Sequence, residues 1–128
     1  MVDVDHTADD LLPLSPAVFH ILLSLADGDR HGYGIMQEVE SRTNGQVSLG
    51  PGTLYGAIKR LLKQSVIEET EERPDPELND ERRRYYRLTA FGQQVLQAEA
   101  ERMAHLVKQA QAKALLPKGS YPLVIGGQ

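Results

Sequence analysis

The sequence predicts a mainly α-helical chain with a small β-hairpin: a winged helix-turn-helix followed by a long C-terminal helix. Three observations carry this reading. Three short helix-forming segments precede residue 65, two of them opened by a proline at the first helical position. Two strand-like runs then flank an acidic loop containing two prolines. From about Ala90 to Leu116 a long stretch follows with few helix breakers.

Residues 1–13 form a polar leader with room for a short helical turn. Ser15-Pro16 supplies an N-cap and an N1 proline. The segment AVFHILLSLA behind it is apolar nearly all round, as expected of a central buried helix, and Asp27-Gly28 ends it. A second helix runs from about Gly32 to Arg42. Tyr33, Met36 and Val39 are expected to face inward, Gln37, Glu38 and Glu40 outward, and Thr43-Asn44-Gly45 stops it. After an extended GQVSLG connector, the third helix starts at Pro51 and ends near Gln64. Val66–Glu72 and Arg82–Leu88 read as the two strands of a hairpin. Thr89 can cap the last helix, and the tail LPKGSYPLVIGGQ, rich in proline and glycine, is expected to be irregular. The divisions are therefore 1–13 leader, 14–89 winged helix-turn-helix, 90–116 C-terminal helix and 117–128 tail.

Composition excludes several function classes. The chain has 128 residues, 41% hydrophobic and 25% charged, enough for one real core. It has no cysteine, so disulfides and thiolate metal sites are absent. Its acidic N-terminus has no apolar h-region and its longest apolar run is too short for a bilayer, so a cytoplasmic, membrane-free protein is expected. His6, His20, His31 and His105 are not spaced as metal ligands, His20 reads as a satisfied histidine, and no nucleophilic triad is placed. HGYG lacks the strand–loop–helix setting of a phosphate loop. No enzyme, metal or cofactor is expected.

The net charge of −4 disfavours nucleic acid taken alone, but the cations are clustered. Three of 14 lie in Lys59–Lys63 and four in Arg82–Arg87. At 100° per residue, the third helix puts Leu54, Ala57, Ile58, Leu61 and Leu62 on one face. Gly52, Gly56, Lys59, Arg60 and Lys63 fall opposite, with Thr53 and Tyr55 at the edges. A mid-helix glycine costs ~1 kcal/mol relative to alanine. Gly56 at the centre of a cationic face makes room for a close neighbour, and a duplex groove is such a neighbour. Lys59, Lys63, Arg82, Arg83 and Arg84 are candidates for phosphate contact. Thr53, Tyr55 and Arg60 are candidates for contact inside the groove.

HGYGIMQEV, LGPGTLYGAIKRLLKQSVIE and RRRYYRLTAFGQQVL resemble the PadR family of transcriptional regulators, over about residues 14–98. The resemblance implies a bacterial winged-helix repressor acting as a dimer through its C-terminal helix on an operator of two-fold character. It also implies that Tyr55 lies at the DNA surface. Two positions depart from the family. Ser65 stands where glycine is usual before the first wing strand, and the wing tip is longer and more acidic.

Leu96, Ala100, Met103, Val107, Ala110 and Ala114 are spaced as a heptad seam, which Leu106 widens, and predict a homodimer. A small aromatic ligand bound near Phe19, Met103 and Val107 follows from family analogy. The competing reading is a winged-helix module for protein association without DNA binding, motivated by the acidic wing tip and the net charge.

Overall fold

The computed structural model describes residues 7–70 and 84–117. A single turn of 3-10 helix at Ala8–Leu11 leads into α1 (Pro16–Ser24), followed by β1 (Arg30–His31), α2 (Gly32–Arg42) and α3 (Pro51–Lys63). The wing strands β2 (Ile67–Thr70) and β3 (Tyr85–Leu88) come next, and α4 (Ala90–Ala112) closes the described chain. The local punctuation behaves as read. The Ser15 side chain accepts from the Val18 N–H, and Pro51 opens α3. Thr89 accepts from the Gly92 N–H at the start of α4.

The sheet has three strands in the order β1-β3-β2, all antiparallel. β1 is an addition to the expected hairpin. Two residues carry no period that a sequence pattern could reveal, and they exist as a strand only because His31 and Arg30 pair with Tyr85 and Tyr86. The core lies between α1, α2, α3 and the first turns of α4. Ile21, Leu22, Ile35, Val39, Leu54 and Val95 are fully buried in it.

Three expectations are corrected. Tyr33 does not face inward; it is 56% exposed, and Ile35 fills the core instead. Leu96 is only 9% exposed, packed into its own domain, so it does not start the seam. The last helix ends at Ala112, not near Leu116, which removes Ala114 from the helical seam. HGYG lacks the strand–loop–helix setting, as read: His31 ends β1 and Gly32 starts α2 with no loop between them.

The ends of α3 and α4 share one device. At α3, Val66 N–H donates to the Leu61 carbonyl and Ser65 N–H to that of Leu62, with Ser65 at φ 61°. At α4, Leu115 N–H donates to the Ala110 carbonyl and Ala114 N–H to that of Gln111, with Ala114 at φ 63°. These are Schellman ends with an L-residue where glycine is usual. The left-handed backbone costs a non-glycine residue ~1–2 kcal/mol. Ser65→Gly should therefore raise stability by ~1 kcal/mol, less some unfolded-state entropy. Urea unfolding checks this, and an unchanged or lower midpoint would mean that serine is not strained there.

The segment just before α1 is tied to α4 by Glu99, which is 1% exposed. Its carboxylate accepts from the Leu14 N–H at 3.1 Å and from both Nε and Nη2 of Arg102 at 2.7 and 2.9 Å. The Arg102 hydrogen bonds, then the Leu14 N–H, hold its pKa below the ordinary glutamate value, against the opposing effect of burial. A depressed carboxylate pKa contributes stability above the unfolded value of about 4.3, and this is lost as pH falls through the folded pKa. Glu99→Gln should cost ~1–2 kcal/mol at pH 7, a figure reduced because Arg102 is half open to water. Urea midpoints for the two proteins should converge as pH falls through the lowered folded pKa of Glu99; a gap that persists at the acid end would assign the loss to packing alone.

Candidate nucleic-acid interface

The buried stripe of α3 is Leu54, Ala57, Ile58 and Leu61, as the wheel predicts. Its outward face is open. A Cβ built at Gly52 or at Gly56 meets nothing within 4 Å. Thr53, Lys59, Arg60 and Lys63 are exposed around these glycines. Among the described residues, Lys59, Arg60 and Lys63 form no ion pair, whereas Arg30, Arg42, Arg84, Arg87 and Arg102 each meet a carboxylate. The unpaired cations of α3 therefore ring an accessible strip of helix backbone.

Arg60 has a second environment. It sits on the flank of α3 that lines a cleft of about 220 Å³ with Leu11, Leu14, Ser15, Val18 and Gln64. This places Arg60 beside the first turn of α1 as well as one turn on from Gly56. Tyr55 occupies the opposite flank. Its ring is half-buried against α2, and a Cβ at Gly32 would overlap its hydroxyl. Gly32 thus lets α2 start directly beside α3, and that packing, not phosphate binding, is what the first glycine of HGYG serves.

The wing is less cationic than its sequence suggests. Arg84 Nη1 donates to Glu69 at 3.1 Å, and Arg87 Nε to Glu68 at 2.8 Å. The second of these pairs lies directly across the sheet, since Glu68 and Arg87 share register. Glu68 and Glu69 are therefore cross-strand partners of the arginines. Arg82 and Arg83 lie outside the described residues.

Two histidines have structural tasks. His20 Nδ1 is 3.0 Å from Arg42 Nη1, and Arg42 also forks onto Glu38. Burial first, then the Arg42 charge, lowers the His20 pKa. His31 was not foreseen as a cap. Its Nδ1 accepts from the Gly34 N–H at 2.9 Å and so closes the N-terminus of α2. Histidine is an uncommon N-cap, so the sequence carried no signal for it.

Beyond the domain core, Ala100 and Leu106 are exposed and Met103, Val107 and Ala110 half-exposed on α4. Phe19 is half-buried and meets His20 edge-on at 5.7 Å. The cleft beside Arg60 and a second one of about 250 Å³ lined by Ala26, Leu88, Leu96 and Ala100 are not built from Phe19, Met103 or Val107. No described helix is long and apolar enough to cross a membrane, and no described cluster of His, Asp or Glu could hold a metal ion.

Residues 21–98 match the model of the transcriptional regulator PadR-like family. The chain is 36% identical over 101 residues to an uncharacterised 37.1 kDa transposon protein of Streptomyces fradiae, which covers 79% of this chain and 27% of that protein. It is 38% identical over 77 residues to an uncharacterised protein X of Lysinibacillus sphaericus, covering 59% and 67%. The chain thus spans about a quarter of the first relative and two thirds of the second. A PadR family transcription regulator from Clostridium difficile R20291 has a similar structure, with TM-score 0.62, 25% identity, and 78% and 99% of the two chains covered. A transcriptional regulator from Clostridium thermocellum gives TM-score 0.60 at 29% identity, covering 75% and 89%. Bacillus subtilis PadR, solved in complex with operator DNA, gives TM-score 0.57 at 23% identity, covering 67% and 46%.

Proposed function

The chain belongs to the PadR-like family of transcriptional regulators, and from that premise we propose that it is a DNA-binding repressor acting as a homodimer on an operator of two-fold character. The observation that carries this reading is the open face of α3. Gly52 and Gly56 leave the helix backbone bare, and Lys59, Arg60 and Lys63 stand around it without carboxylate partners. An α-helix fits the major groove, and unpaired cations beside it neutralise phosphates. Bacillus subtilis PadR, which was solved on operator DNA, shares this fold.

The dimer is supported by α4, which runs on past the core and exposes Leu106 at 48% with Ala100, Met103, Val107 and Ala110 nearby. A partner helix laid on these positions would cover them. A flat aromatic compound bound near Phe19, Met103 and Val107 would be an effector that releases DNA; this extends the family reading and rests on no cavity described above.

The test is a gel shift with the duplex upstream of the protein's own gene, at low and moderate salt, together with sedimentation equilibrium. The expected results are a retarded band that weakens with salt and a mass twice that of the 14.2 kDa chain. The competing reading, a module for protein association, is favoured by one observation: Arg84 and Arg87 of the wing are paired with Glu69 and Glu68. No shift on any duplex at low salt would decide for it. Release of the retarded band by a member of a phenolic or planar-drug panel would establish the effector; no release by any would remove it.

A further inference from the structure

Tyr33 stands out among the described residues as a large side chain exposed on the first turn of α2 while Gly32 and Ile35 beside it are buried. Its ring does not hang loose. It stacks on His31 with centroids 6.4 Å apart and planes at 12°. His31 is in turn fixed by the Gly34 N–H and meets Tyr85 of the wing edge-on at 5.2 Å and 84°. The stack therefore joins α2 to the wing. On its other side, Gly32 seats the start of α2 against Tyr55 of α3. Tyr33 thus occupies the junction between α3 and the wing.

We infer that Tyr33 is a DNA-backbone contact, its phenol donating a hydrogen bond to a phosphate oxygen between the groove-facing helix and the wing. A duplex seated on the open face of α3 and reaching the wing passes over this junction. Tyrosine hydroxyls are ordinary phosphate donors. A ring already held by stacking loses little freedom when it binds, because tyrosine has only two side-chain torsions to fix. The contact is neutral, so it adds affinity without displacing a counterion, and it is blind to sequence. The inference rests on the DNA-binding reading above.

The test compares wild type, Tyr33→Phe, Tyr33→Ala and Lys63→Ala by fluorescence anisotropy. The probes are the upstream duplex and a scrambled duplex of equal length, each over a salt series. Tyr33→Phe keeps the ring and should weaken both duplexes about fivefold, the effect of one hydrogen bond. Its salt slope should match wild type, whereas Lys63→Ala should lower the slope by about 1. Tyr33→Ala should bind no better than Tyr33→Phe. Thermal melts of Tyr33→Phe should match wild type, since the side chain lies on the surface. Wild-type affinity of Tyr33→Phe on both duplexes would overturn the inference, whatever Tyr33→Ala does, while leaving the DNA-binding reading intact. A loss on the upstream duplex alone would overturn it in favour of base reading. A wild type that binds neither duplex would overturn the functional reading and this contact with it.

Discussion

Gly92→Ala should destabilise the domain by ~3 kcal/mol or more, although alanine in place of glycine normally strengthens a helix by ~1 kcal/mol. Gly92 lies in the first turn of α4, where an added Cβ would overlap the Val66 carbonyl oxygen and come within 3.0 Å of its carbon. That carbonyl cannot swing aside. It accepts from Thr89 N–H at 3.0 Å and from Thr89 Oγ1 at 3.1 Å, and Val66 itself is fully buried. The helix would have to back away from the α3–β2 corner, loosening Val95 and Leu96. Urea unfolding of Gly92→Ala reads the change directly, and an unchanged or raised midpoint would show that α4 is not seated on that corner.

Gly56→Leu should do the reverse: strengthen the fold and abolish operator binding. A Cβ at this position meets no atom within 4 Å, so the helix gains ~0.8–1 kcal/mol of propensity. A helix with its side chains is ~10–12 Å across and a major groove ~12 Å wide, so a leucine on the central outward position holds the backbone off the bases. Losing the close approach should reduce operator affinity by at least about 100-fold, or ~2.7 kcal/mol. Anisotropy titration on the upstream duplex checks the binding and urea unfolding the stability. Near-normal affinity would remove α3 from the groove.

The signals that proved legible were local ones. A capping serine before Pro16, the proline at the start of α3 and Thr89 before α4 each act on backbone groups within a turn of themselves, so sequence alone places them. The inner and outer faces of α3 were legible because its apolar period is strong over 13 residues. What stayed hidden depends on neighbours from elsewhere in the chain. Tyr33 reads as a core residue until the packing of α2 is seen, with Ile35 and Val39 on its buried side and Tyr33 out against His31. The pairing of Arg87 with Glu68 exists only once the strand register is set. Leu96 fits a heptad seam equally well, and only the position of the three-helix core decides that it is buried at home. Ala114 gave no stop signal because its residue type does not favour the conformation that it adopts.

The ends of α3 and α4 have an evolutionary corollary. Glycine sits in this chain at Gly52 and Gly56, inside a helix, where it weakens the fold, and is missing at Ser65 and Ala114, where it would strengthen it. Any alanine codon is one base from a glycine codon, so the improvement at Ala114 has always been within mutational reach. Helix-weakening glycines thus stand on the face open to solvent while gains of stability remain open at the two helix ends, as expected of a fold held only above a sufficient threshold. The reserve lies away from the glycine face, at positions where a lineage could draw on it to tolerate destabilising changes on that face.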